Sequence, residues 1–373
     1  MSGSPEGSNA RKKRIWRIVQ IAFSVALVVG IFAYAIPKLA DYASVLQAIR
    51  EMTWLETATL VGATVFNLLT YWWQNMAALP GLRLWPAAVA NQTTTSVANT
   101  IPAGGYVAVG LGYAIYRSWG FSTAAITLSV LISGVWNIFM KLGLPVLALV
   151  ALAVTGQASA SLVTVAAIGL AILAAGVALF TLVLWKKSLA RAIGAFFSRV
   201  ANAILRVFRK GPVNDWGGAT VRFRHQSIEL VAERWGWLTF TTVLSHLALY
   251  LVLVLALRSV GVSEDDLSWA QILGVFAFGR LLTAIPLTPG GLGVIELSYI
   301  GGLILAGRNQ ADVPPDIFRA QVAAAVLVFR TLTYAVQIPL GAVTYVIWRV
   351  NKSWRAEPPN DEPEAAVNVV AIA

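Results

Sequence analysis

The chain has 373 residues, 58% hydrophobic and only 12% charged, with a mean hydropathy of +0.71; this excludes a soluble globular protein and defines an all-α polytopic membrane protein. With no cysteine, disulfides, thiolate metal sites and cysteine nucleophiles are excluded, and the two histidines, His225 and His246, make no metal-ligand pattern. The net charge of +11 would point to nucleic acid in a soluble protein, but here the basic residues flank hydrophobic spans and mark membrane orientation and contact with anionic lipid.

Residues 1–14 read as a disordered basic N-terminus ending in Arg11-Lys12-Lys13-Arg14. A first span follows at about 15–36. Ala33-Tyr34-Ala35 mimics a signal-peptide cleavage site, but the apolar run is long for a signal and reads better as an uncleaved anchor. The second span is about 54–79. Residues 85–118 begin with a polar run from Asn91 to Thr100, pass Pro102 and the pair Gly104-Gly105, and return as Val107–Tyr116. Too polar for lipid and too short for two crossings, they predict a re-entrant hairpin. The third span, about 121–154, contains Pro145, and the fourth is about 161–185.

A basic loop, 186–236, opens with an amphipathic helix in which Leu189, Ile193, Phe196, Phe197 and Val200 alternate with Arg191 and Arg199. This predicts an interfacial helix over 186–210 on anionic phospholipid. The fifth span is about 237–260. Residues 267–306 form a second hairpin, broken at Pro286–Gly293. Its return limb, about 294–306, is too short to cross a bilayer. The last span is about 315–350, and 351–373 is a Pro/Glu-rich disordered tail. The layout is about six full spans plus two re-entrant helical hairpins.

Charge orients this layout. With the N-terminus inside, the cytoplasmic segments hold about 20 of the 28 Lys and Arg, and the exterior about four. Both termini are then cytoplasmic in a multi-pass protein of the cell membrane. The unit span–hairpin–long span occurs twice in opposite orientation: repeat one about 54–154, repeat two about 237–350. Thr100-Ile101-Pro102 answers Ala284-Ile285-Pro286, and Gly143-Leu144-Pro145 answers Gln337-Ile338-Pro339. Inverted repeats with interrupted helices place a transporter's binding site where the repeats meet.

The break itself is the run Pro286-Leu287-Thr288-Pro289-Gly290-Gly291-Leu292-Gly293-Val294-Ile295-Glu296. Irregular backbone at membrane depth is tolerated only where protein buries it or a wet cavity adjoins it. Gly290, Gly291 and Gly293 permit positive φ and would offer N–H groups to a phosphate or carboxylate; a packing turn is the alternative. Asn99, Pro102, Gly104 and Gly105 offer the same geometry with less glycine. Four ionisable groups lie within hydrophobic segments: Lys141, Arg280, Glu296 and Arg330. Such groups are functional candidates. Glu296 is expected to pair with Arg280 or Arg330, as a structural clasp, a gate or a head-group contact. There is no nucleotide loop, Ser/His/Asp arrangement or acidic metal cluster, so no catalytic residue, metal or cofactor is expected.

The run from Ile285 to Glu296 resembles the signature of the lysylphosphatidylglycerol synthase transmembrane, flippase-like family. So do Val328-Phe329-Arg330-Thr331-Leu332-Thr333-Tyr334 with Pro339 and Gly341, and Ile101-Pro102-Ala103-Gly104-Gly105. Tyr106 stands where many relatives place an acidic residue. The resemblance covers about 15–350 and implies translocation of a lipid across the cytoplasmic membrane. In some relatives that lipid is an aminoacylated phospholipid made by a fused synthase domain. No such domain follows here, so synthase activity is not expected. The resulting expectation is a flippase or scramblase for a polar-headed, phosphate-bearing lipid, either a phospholipid or a polyprenyl-phosphate-linked one. It would have membrane lipids as partners and a separate lipid-modifying enzyme beside it. The alternatives are a membrane enzyme or accessory subunit acting on lipid-linked sugars, and a small-solute carrier.

Overall fold

A computed structural model describes residues 41–101, 104–157, 160–186, 188, 216–283, 288–307 and 313–356. The expected N-terminal segment and first span, most of the amphipathic helix and the tail from 357 lie outside the described residues.

The described residues form eleven α-helices and no strand. They are α1 (Tyr42–Arg50), α2 (Trp54–Ala78), α3 (Leu84–Thr100), α4 (Gly104–Arg117), α5 (Thr123–Val154), α6 (Ala160–Trp185), α7 (Trp216–Ser259), α8 (Trp269–Leu282), α9 (Val294–Gly307), α10 (Pro315–Arg330) and α11 (Gln337–Val350). A 3-10 turn, Pro289–Gly291, precedes α9, and a π-helical turn, Thr331–Ala335, joins α10 to α11.

Helix starts follow from local chemistry. Thr53 and Glu56 close a capping box at α2, and Ser268 and Gln271 do the same at α8. The π turn follows from Pro339. A proline has no N–H to give the Ala335 carbonyl and its ring crowds the preceding turn. The backbone adapts by widening, and the Val336 N–H donates to the Thr331 carbonyl at 2.9 Å.

Among the described residues four stretches are long and apolar enough to cross a membrane: Thr123–Val154, Ile228–Ser259, Pro289–Gly307 and Pro315–Val350. The chain is therefore an all-α, multi-pass membrane protein. Pro289–Gly307 reaches that length only by including the 3-10 turn. Its helix, α9, has 14 residues and rises about 21 Å, less than the roughly 30 Å hydrocarbon core. Helices α4 and α8 are equally short. Trp54–Ala78, expected as a span, has 25 residues but is not among the four. Its polar face explains this. Asn67 donates to the Ser245 carbonyl at 3.1 Å and Gln74 to the Thr242 hydroxyl at 2.9 Å, so buried amides tie α2 to α7.

Two further elements differ from the sequence-based expectation. Helix α7 begins at Trp216, inside the segment expected to be a loop to 236. Helix α1 has no counterpart among the expected elements; it is capped by Asp41 and packs on α10.

Packing is exchanged between the two halves. Helix α3 lies against α11, and α8 lies against α5. Each half also keeps its own short pair together, α3 with α4 and α8 with α9. At the α3–α11 crossing a Cβ on Gly341 would come within 2.2 Å of the Ser96 Cβ and 2.4 Å of the Gln92 carbonyl oxygen. Only glycine allows that approach. The Ser96 hydroxyl then donates to the Ile338 carbonyl at 2.9 Å. The main apolar core gathers α7, α8, α9 and α10 around Phe276, Tyr299 and Phe329.

Candidate functional site

The two short helix pairs point their tips at one cavity of about 370 Å³. From the first tip come Asn99, Gly104 and Gly105; from the second come Pro289, Gly290 and Gly291. Helix α3 supplies its wall by periodicity. Asn91, Thr95, Ala98 and Asn99 share one face and line the cavity. Thr93 faces the other way, where its hydroxyl meets that of Thr344 on α11 at 2.9 Å. The polar run of α3 is thus divided between a cavity face and a packing face.

Each tip needs its glycines. A Cβ on Gly104 would sit 2.5 Å from the Val97 carbonyl oxygen, so α4 could not start so close to the end of α3. Gly290, Gly291 and Gly293 have φ of +56°, +72° and +85°, the left-handed region that disfavours residues with a Cβ. A Cβ on Gly290 would also lie 2.3 Å from the Tyr334 ring and 2.9 Å from Asn99 Oδ1. The two tips therefore touch.

The ionisable groups divide into a pair and a remainder. Arg330 Nε donates to Glu296 Oε1 at 2.6 Å, and the Gly293 N–H donates to Glu296 Oε2 at 2.6 Å. The Glu296 side chain is 1% exposed. Arg330 Nη2 also reaches the Gly290 carbonyl at 3.2 Å, and its guanidinium stacks on the Tyr334 ring at 4.4 Å. Of the two arginines expected as partners for Glu296, Arg330 is the one that binds it. Arg280 stands on the cavity wall, forms no salt bridge among the described residues, and has a buried Nε without a hydrogen-bond partner. Lys141, on α5, is not on the cavity wall, though it is near enough to Arg280 for the two charges to act on each other.

The expectation that three glycines present free N–H groups is corrected for two of them, Gly291 and Gly293. The Gly291 N–H donates to the Thr288 carbonyl at 3.0 Å, and that of Gly293 is taken by Glu296. These two donors are satisfied because a 3-10 turn is followed by a carboxylate within reach. Pro102 and Pro286 lie outside the described residues.

Tyr334 joins the site, although the sequence points to it only as the end of the run Val328–Tyr334 and not as a site residue. Its hydroxyl is 2.7 Å from the Asn99 carbonyl and 3.2 Å from that of Pro289, so one proton serves the ends of both tips. Asn67 and Tyr71 of α2, Thr333 and Gln337 also line the cavity. For Asn67 the available signal is an amide inside an apolar span. The wall as a whole offers one unpaired guanidinium, amides, hydroxyls and backbone carbonyls. That set suits a polar group partly withdrawn from water.

Fold and site together define a membrane protein in which interrupted helices meet on a polar cavity. The family model described as "Lysylphosphatidylglycerol synthase TM region" matches residues 19–341, and the chain belongs to that family. A search of the curated proteins finds no match.

Proposed function

We propose that this protein is a flippase or scramblase that moves a polar-headed, phosphate-bearing lipid, either a phospholipid or a polyprenyl-phosphate-linked one, across the cytoplasmic membrane. The observation that carries this reading is the meeting of two helix-pair tips on one polar cavity. Short helices ending at membrane depth are tolerated where they adjoin a cavity. Interrupted helices in corresponding places of two halves are the arrangement of alternating access. On this reading α3–α4 and α8–α9 are re-entrant hairpins, and the two halves are inverted repeats. The exchanged packing of α3 on α11 and α8 on α5 supports it, as do the prolines Pro145 and Pro339 in the long helix of each half. The head group would occupy the cavity while its tails stay in lipid.

The protein would act without catalysis, with both termini cytoplasmic and segment 186–210 resting on anionic phospholipid. A separate lipid-modifying enzyme would make or use the lipid. The test is reconstitution into vesicles that carry a fluorescent phosphatidylglycerol or polyprenyl phosphate in both leaflets. Added protein should expose the inner-leaflet probe to an impermeant quencher. Quenching no greater than in protein-free vesicles, for both probes, would count against the proposal.

A further inference from the structure

The cavity carries positive charge that nothing among the described residues cancels. Arg330 is neutralised by Glu296, and both carboxylate oxygens of Glu296 are already occupied. At 1% exposure that carboxylate is closed to any group in the cavity. Among the described residues lining the cavity there is no acid. The sequence extends the point: no Asp or Glu occurs between Glu56 and Asp215, and residues 102–103 and 284–287 of the two tips are uncharged. Arg280 is left facing the cavity with a buried, unpartnered Nε.

An unpaired cation at membrane depth is energetically unfavourable, and a guanidinium is shaped to grip two oxygens of a phosphate at once. The missing counter-charge therefore has the chemistry of an anion, and the neutral amide of Asn91 on the cavity wall can supplement it. An ammonium group brought to the same place would meet Arg280 and find no carboxylate.

Taking the cavity as the head-group site proposed above, we infer that it selects a lipid whose head group is net negative, a phosphate ester without a compensating ammonium. It discriminates against aminoacylated phosphatidylglycerol, the lipid type associated with the family's description. Arg280 is the residue that sets this preference.

The full-length protein, purified in detergent, is titrated with dioctanoyl phosphatidylglycerol, its lysyl ester and inorganic phosphate, with affinity read by thermophoresis. Phosphatidylglycerol should bind at least about tenfold more tightly than the lysyl ester, because Arg280 makes a charge-assisted hydrogen bond to the first and repels the ammonium groups of the second. Arg280→Gln should erase most of that ratio, and Arg280→Lys should keep most of it. The wild-type ratio decides the matter if Arg280→Gln fails to fold. Equal or tighter binding of the lysyl ester overturns the charge preference and leaves the lipid-site reading standing. Binding of neither lipid above a heat-denatured control overturns the reading itself, and the preference with it. Displacement of phosphatidylglycerol by equimolar inorganic phosphate overturns the lipid part and assigns the site to a free anion.

Discussion

The Glu296–Arg330 pair gives the sharpest test, because its two members are not equally dependent on each other. Arg330→Ala leaves a carboxylate that is 1% exposed with only the Gly293 N–H. Breaking a buried pair from one side costs about 3–5 kcal/mol, and the 13% exposure of Arg330 places this case near about 3 kcal/mol. Glu296→Ala leaves a guanidinium that still has the Gly290 carbonyl at 3.2 Å and the Tyr334 ring at 4.4 Å. Its cost should be nearer about 2 kcal/mol. The double substitution removes both charges and should cost about 3 kcal/mol rather than the sum, a coupling of about 2 kcal/mol. Reversible unfolding in mixed micelles measures the cycle. Additivity within about 0.5 kcal/mol, or a milder effect of Arg330→Ala than of Glu296→Ala, refutes the reasoning. Flipping measured on the same variants separates structure from function. A double variant that stays folded but does not flip lipid assigns the charges to gating or head-group handling; one that stays folded and flips lipid assigns the pair to a purely structural clasp.

Other outcomes follow from the same geometry. Gly290→Ala should cost about 2 kcal/mol from its left-handed φ and its clash with Tyr334, whereas Gly105→Ala, whose Cβ meets nothing within 4 Å, should leave the unfolding midpoint within error. Tyr334→Phe should lower stability by about 1 kcal/mol and speed labelling of a cysteine placed at Thr95. On the proposed orientation, a cysteine introduced at Ser188 should react with an impermeant reagent only after the cytoplasmic side is exposed; labelling from outside intact cells would overturn that orientation.

The location of the breaks is legible in the sequence. Gly and Pro clustered in apolar segments have few physical explanations, and both clusters reach the same cavity. The partner of Glu296 is not legible. Arg280 and Arg330 are equal candidates on composition, and the packing of α9 on α10 decides between them. The polar run of α3 is visible, but its division into Asn91, Thr95 and Asn99 toward the cavity and Thr93 toward α11 depends on how the helix is rotated. Periodicity gives two faces without saying which neighbour each meets. The start of α7 escapes a sequence reading because its charge density imitates a loop, although a helix extending past the bilayer needs no apolar side chains there. Helix α1 has nine residues, too short to be stable by propensity alone. Its existence depends on docking against α10, which no local pattern announces.

One backbone irregularity holds the site together. Arg330 immediately precedes the π turn Thr331–Ala335 and Tyr334 lies within it, and between them they reach Glu296, the Gly290 and Pro289 carbonyls of the second tip and the Asn99 carbonyl of the first. A π turn holds one more residue than the α-helix it interrupts, so removing it would rotate the side chains on one side by about 100° relative to the other. Pro339→Ala restores the missing N–H and permits that regular helix, relieving up to about 3 kcal/mol of helix cost. The expected result is a protein no less stable overall in which Tyr334 has left the tips. In that background Tyr334→Phe should become nearly silent, although it costs about 1 kcal/mol in the parent, and flipping should fall because the tips are no longer tied. If Tyr334→Phe costs the same in both backgrounds, the proline does not set the register of the site, and Tyr334 ties the tips together without it.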